Sequence, residues 1–186
     1  MKKLIIASIL TATVAILPAK AADYIIDYKG AHASINFKVK HLGYSWLTGR
    51  FNVFDGKFSY DSKNVNASKI SLTIDTTSVD SNHAERDKHL KGKKFLDVKK
   101  FAQASFNSTK VEDLGNDKLK VTGILSLQGV EKEIVIDAYK VGEGKDPWGG
   151  YRSGFSGTTS IQMKDFGFGR DFGQIDFDLH LEGIRQ

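Results

Sequence analysis

The sequence predicts an all-β protein: about eight antiparallel strands closed into a barrel and broken once by a short helical crossover. Three observations carry this. Apolar and polar residues alternate over many short runs, the period of strands with one wet face. The chain has only 2 prolines, while several of its 18 glycines (Gly56, Gly123, Gly154, Gly157) fall inside strand patterns, where a closing sheet turns its corners. The stretch from Thr76 to Phe101 abandons the alternation for a basic, helix-like segment. A flat two-sheet sandwich is the structural alternative, and the glycine kinks favour closure.

Taken in order, the chain opens with Lys2 and Lys3, an apolar run from Leu4 to Leu17, and Ala19-Lys20-Ala21 behind Pro18. This is the layout of a cleavable secretory signal over residues 1–21, leaving a mature domain over 22–186 and a periplasmic location. The apolar run is short for a membrane span. Tyr24 to Asp27 reads as an edge segment. Ala31 to Val39 sets Ala31, Ala33, Ile35, Phe37 and Val39 on one face. His41 to Phe51, aromatic and bracketed by glycines, reads as a turn. Arg50 to Tyr60 then returns as one strand kinked at Asp55-Gly56. Lys69 to Asp75 is the next strand.

The crossover follows. Asp80, Ser81 and Asn82 are N-cap residues, Glu85 stands three after Asn82 as in a capping box, His83 to Lys91 is the helix, and Gly92 its left-handed stop. Five strands complete the barrel: Gln103 to Glu112, Lys118 to Leu127, Glu131 to Val141, Tyr151 to Met163 and Gln174 to Gly183, with Gln128-Gly129 a tight turn.

Composition narrows the function. The full chain has 27 Lys+Arg against 22 Asp+Glu. Removing Lys2, Lys3 and Lys20 with the signal leaves 24 against 22, a net +2, too small to argue for nucleic acid. With no cysteine, disulfides, thiolate metal sites and thiol catalysis are excluded. His83 and His89 are six apart, on different helix faces, and His32 and His41 are an odd number apart, so no metal site is expected. Gly154-Phe155-Ser156-Gly157 lacks the spacing of a nucleophile elbow, and Asp146-Pro147 after Gly142-Glu143-Gly144 rules out a dinucleotide fingerprint. Lys88, Lys91, Lys93, Lys94, Lys99 and Lys100 form a basic run. It reads as a solvated helix face or as a patch for anionic headgroups or a pyrophosphate end. Stacking aromatics are not interleaved with it, as RNA-binding sheets require.

Three stretches together resemble the YceI family of periplasmic, polyisoprenoid-binding proteins. They are His41-Leu42-Gly43-Tyr44-Ser45-Trp46-Leu47 with Gly49, Phe51, Phe54, Asp55 and Gly56; Thr76 to Leu90 with Phe95-Leu96; and Asp146-Pro147-Trp148-Gly149-Gly150 with Gly154-Phe155. The resemblance runs from about Ala22 to the C-terminus. It departs at Phe101-Ala102, where family members often have Tyr-Pro, and at the glycine- and aromatic-rich Phe166 to Gly173. It implies an extended lipocalin-like barrel around a lipophilic chain such as a quinone or polyprenol, and a possible homodimer. It implies binding rather than catalysis, with no cofactor beyond the lipid; a quinone-dependent enzyme or redox carrier using the same cavity is the alternative.

By periodicity Ile35, Phe37, Val39, Phe51, Leu72, Ile74, Phe106, Val121, Leu125, Phe155, Phe177 and Leu179 face inward, and either fill a solid core or line a cavity. The resemblance implies the cavity. Leu42, Tyr44, Trp46 and Phe54 join the ligand-binding set at an opening, where the aromatics form a gate, a plug or a membrane-touching surface. Asp80, His83, Arg86, Asp87, His89 and Leu90 are assigned to a lid or mouth. There Arg86 and Asp87 either fix a polar head or tie down the crossover.

Overall fold

The computed structural model describes residues 21–186; the expected signal, apart from Ala21, lies outside the described residues. Its elements are β1 (Ala22–Ile26), β2 (Ser34–His41), β3 (Ser45–Phe51), β4 (Phe54–Tyr60), β5 (Lys69–Asp75), the two-residue β6 (Val79–Asp80), α1 (Ala84–Lys91), β7 (Gln103–Gly115), β8 (Lys118–Leu127), β9 (Val130–Lys145), β10 (Tyr151–Gln162) and β11 (Gln174–Arg185). All pairings are antiparallel. The ring runs β1-β4-β5-β7-β8-β9-β10-β11, and β1 closes it on β11 through Tyr24↔Arg185, Ile25↔Ile184 and Ile26↔Gly183. Over its other half β11 pairs with β2, from Ile175↔Val39 to His180↔Ser34, and β3 and β6 extend beyond β2. β1 with β2, and β3 with β4, are thus broken halves of single positions in an eight-stranded barrel.

The breaks fall where local bonds replace the ladder. Between β1 and β2 the chain turns at residues 27–33, where Ala31 has φ +58°. That residue therefore leaves the strand predicted from Ala31, which begins at Ser34. Between β3 and β4, Val53 donates its N–H to the Ser78 hydroxyl (2.9 Å), and its carbonyl accepts the Asp75 N–H (3.0 Å). The predicted kink at Asp55-Gly56 is displaced to this point, and Asp55 and Gly56 sit in regular register with Thr73 and Leu72. β1 is not an edge: it is paired on both sides, and Tyr24 is fully buried.

The helix exists where expected, with different ends. Asn82 has φ +60°, incompatible with the extended N-cap, so His83 caps instead and its Nδ1 accepts the Arg86 N–H (3.2 Å). Glu85 turns to Lys88 and His89 rather than back to Asn82. Gly92 ends the helix in an extended, not left-handed, conformation (φ −79°).

Candidate functional site

The barrel is hollow. Its interior holds a cavity of about 1010 Å³, at the upper end of the ~300–1,000 Å³ common for ligand sites. Register explains the apolar wall. Cross-strand partners share a face, so Ile35↔Leu179, Phe37↔Phe177 and Val39↔Ile175 stack three layers between β2 and β11. On the opposite wall Phe106↔Leu125 and Leu72↔Phe106 join β5, β7 and β8. All twelve residues whose periodicity points inward line the cavity. Gly123 is required beneath one of them: a β-carbon there would overlap the Phe106 ring.

One end of the cavity is packed with rings. Phe58 stacks on Tyr24 (centroids 4.8 Å apart) and meets Phe155 edge-on (5.5 Å), and Tyr60 also meets Phe155 (5.1 Å). Ser68 lines this region with a buried hydroxyl oxygen that has no protein partner. The other end is a mouth made by the close of β2, the start of β3, the helix and the segments around Phe95 and Phe172, whose rings stack at 6.0 Å. Here Arg86, His89 and Leu90 of the predicted lid line the cavity, together with Lys40, His41, Lys88, Lys93, Lys94 and Arg170.

The remaining predicted site residues lie elsewhere. Leu42 and Tyr44 sit on the exposed tip of the β2–β3 turn, away from the cavity, because Leu42 (φ +50°) and Gly43 (φ +84°) turn the tip outward. Trp46 reaches the rim, but its half-exposed ring lies under the Lys38 and Lys40 ammonium groups, at 4.8 and 6.0 Å. Phe54 is buried behind the cavity wall against Tyr28. Asp80 binds Asn52 Nδ2 (3.1 Å) and the Asn82 N–H (2.8 Å), and His83 caps the helix. Asp87 accepts both the N–H (2.9 Å) and hydroxyl of buried Ser81, and Arg86 donates to the Ser81 hydroxyl (2.8 Å) and carbonyl. Arg86 and Asp87 thus tie down the crossover.

Pattern reading missed several wall residues. Val111 points inward because a bulge between Ser108 and Lys110 shifts the β7 register. Phe168 and Phe172 come from an irregular connection with no period to read, whereas Met163, the last residue of the strand read from Tyr151, opens the 3-10 turn that follows β10 and still lines the cavity.

Two polar clusters stand apart from the mouth. Asp27, His32 and Glu182 place three ligand-type atoms within 4.8 Å of one another. Arg152 already supplies a cation there, 2.7 Å from Asp27, 2.6 Å from Glu182 and 2.9 Å from Asp146. Its guanidinium also lies 5.3 Å from the Trp148 ring. Hydrogen bonds from His32 and then Arg152 pull the Asp27 carboxyl down to about 2. The second is a chain from Ser156 Oγ, on a buried residue that borders the cavity, to the half-exposed His180 (3.0 Å) and Asp178 (3.2 Å). Ser156 and His180 are cross-strand partners, the serine hydroxyl also reaches the Leu179 carbonyl (3.2 Å), and the His180 and Asp178 side chains are half exposed, so the chain is a surface hydrogen-bond ladder.

The comparisons agree with this architecture. The YceI-like domain model matches residues 24–182. A UPF0312 protein of Shewanella baltica (strain OS185) is 54% identical over 191 residues, covering 100% of both chains. The solved YCEI protein of Campylobacter jejuni superposes with TM-score 0.71 at 31% identity, over 80% of this chain and 91% of that one. A polyisoprenoid binding domain from Saccharophagus degradans, implicated in plant cell wall breakdown, shares the fold with TM-score 0.63 at 15% identity, over 90% of this chain and 100% of that one. By the match of the family model across nearly the whole barrel, this chain belongs to the YceI family.

Proposed function

We propose that this protein binds a polyisoprenoid-type lipid, a quinone or polyprenol, in its barrel and carries or stores it in the periplasm without transforming it. The observation that carries the reading is the cavity of about 1010 Å³ behind three layers of Ile, Phe, Val and Leu pairs. The energetics suffice. Each buried CH₂ is worth ~0.8 kcal/mol, so one isoprene unit brings roughly 3–4 kcal/mol, and a few units exceed the ~4–15 kcal/mol cost of association. The fold shared with a domain described as polyisoprenoid binding adds support. The exposed Leu42, Tyr44 and Trp46 beside the cationic mouth suit transient contact with an anionic membrane during loading.

Native mass spectrometry of protein expressed with its leader and recovered from the periplasm, followed by solvent extraction, tests this. The expected result is a stoichiometric lipid with isoprene mass increments. A bare protein mass, with no uptake of added ubiquinone or polyprenol, would overturn it.

A further inference from the structure

A strand at the rim of a sheet leaves half of its backbone N–H and C=O groups unpaired, and proteins protect such rims with charge, proline, bulges or a covering segment. β3 is such a strand. It pairs with β2 from Ile35↔Phe51 to His41↔Ser45, but on its other side only Arg50 and Phe51 meet β6. Along residues 45–49 that side has no strand partner among the described residues, and no backbone bond from a turn or loop reaches it. Ser45, Trp46 and Thr48 are exposed. The rim carries none of the usual protection: Ser45-Trp46-Leu47-Thr48-Gly49 has no charge and no proline, and its register on β2 is unbroken. Ladders that stop elsewhere are closed or charged. Where β5 and β7 part beyond Ser71↔Asn107, the Ser108 hydroxyl accepts the Ile70 N–H (2.9 Å) and Asn66 accepts the Asp113 N–H (2.8 Å). Where β9 parts from β10, before Asp137, the Thr159 hydroxyl donates to the Val135 carbonyl (2.7 Å), and Glu131, Lys132 and Glu133 charge the strand. The unprotected rim of β3 is thus a template for one more strand.

Charge says which strand. On the outer face, Trp46 and Thr48 stand opposite Lys40 and Lys38. Both ammonium groups lean over the Trp46 ring, Lys38 at 4.8 Å and Lys40 at 6.0 Å from its centre, and so toward the open side. Lys38, Lys40 and Arg50 have no ion-pair partner among the described residues. Asp176, the β11 neighbour of Lys38, is engaged by the Ser160 hydroxyl (2.7 Å) and the Gln174 amide (2.5 Å). The inner face of the rim offers the half-buried Leu47, opposite Val39. A second copy of β3 would bring the same cations together, and like charges on neighbouring strands repel. Residues 1–20 of the chain carry Lys2, Lys3 and Lys20 and no acid. An acidic strand fits instead. With a side-chain period of two, its acids fall on the face of Lys38, Lys40 and Arg50, and its apolar residues on the face of Leu47.

We infer that the free edge of β3 receives an extended segment of a partner protein, alternating acidic and apolar residues, as an added strand. This docking is independent of what fills the barrel.

The test uses a synthetic heptapeptide of alternating glutamate and valine, blocked at both ends, added to the mature protein while amide hydrogen exchange is followed residue by residue. Saturating peptide is expected to slow exchange of the outward-facing amides of residues 45–49 by about tenfold or more. Exchange in β8, paired on both sides, stays unchanged, and the affinity falls as salt rises. A peptide N-methylated at two successive central residues, or one with lysine in place of glutamate, gives no protection. Lys38→Gln/Lys40→Gln weakens binding of the acidic peptide by about threefold or more. Unchanged exchange at residues 45–49 overturns the docking, as does equal protection by the N-methylated or the lysine peptide, or binding unmoved in the double variant. Protection of the same amides by phosphatidylglycerol vesicles without peptide overturns it in favour of a membrane surface. Protection that grows with protein concentration alone overturns it in favour of a second copy of the chain.

Discussion

Arg152 organises the far side of the barrel through three carboxylates from three places in the chain: Asp27 in the β1–β2 turn, Asp146 in the β9–β10 turn and Glu182 in β11. The Asp146-Pro147-Trp148-Gly149-Gly150 motif finds its reason here. Asp146 accepts the N–H groups of Trp148 (3.0 Å) and Gly150 (2.7 Å) and so shapes the turn that places it on Arg152. Asp27 sets a pH dependence. Its folded pKa, about 2, lies below the ordinary ~3.9 of an unfolded aspartate. Its contribution to stability is therefore complete above about pH 4 and lost as pH falls through about 2. Asp27→Asn is expected to flatten the acid limb of a plot of melting temperature against pH between about 4 and 2. An acid limb identical to that of the parent protein would show that Asp27 is not the group responsible.

At the scale of elements, the crossover behaves as a tethered cover. None of the residues of α1 is buried, so packing holds it weakly, and its attachment is the polar knot of Ser81, Arg86 and Asp87. Asp87→Ala leaves the buried Ser81 N–H without its acceptor. We expect a loss of about 1–3 kcal/mol and faster lipid release, read by chemical denaturation and by dilution of a loaded fluorescent lipid. A release rate equal to the parent's would make α1 a spectator. The strands were legible in the sequence wherever alternation ran unbroken, as in β8, where Leu119, Val121, Gly123, Leu125 and Leu127 all face inward. Legibility stopped where bonds to side chains replaced the ladder, as at Val53, or where a bulge reversed the faces, as before Val111. The mouth was the least legible part. Leu42, Tyr44 and Phe54 share the apolar character of cavity residues, and only backbone angles and packing against Tyr28 turn them elsewhere. Lys40 and Arg170 reach the mouth from segments whose sequence carries no sign of proximity.

For the whole molecule, the large interior volume is a stability deficit until it is filled. An unfilled apolar space forfeits the contacts that its walls would otherwise make, and a ligand that binds only the closed barrel stabilises it by mass action, ~2.7 kcal/mol at a hundred times its dissociation constant. Stripping lipid from the protein by solvent or detergent exchange should therefore lower its melting temperature by several degrees, and adding lipid back should restore it. Indifference to lipid content would show that the space is not a binding volume. The pairing of β1 with β11 sets the order in which the structure can form. Tyr24 meets Arg185, so the contact that seals the ring joins nearly opposite ends of the described chain. Loop closure over such a separation is entropically costly, and folding dominated by such contacts is slow. Until β11 arrives, the neighbouring strands can assemble only as an open sheet with two unsatisfied edges, so the interior of the barrel stays open along that seam until the last strand docks.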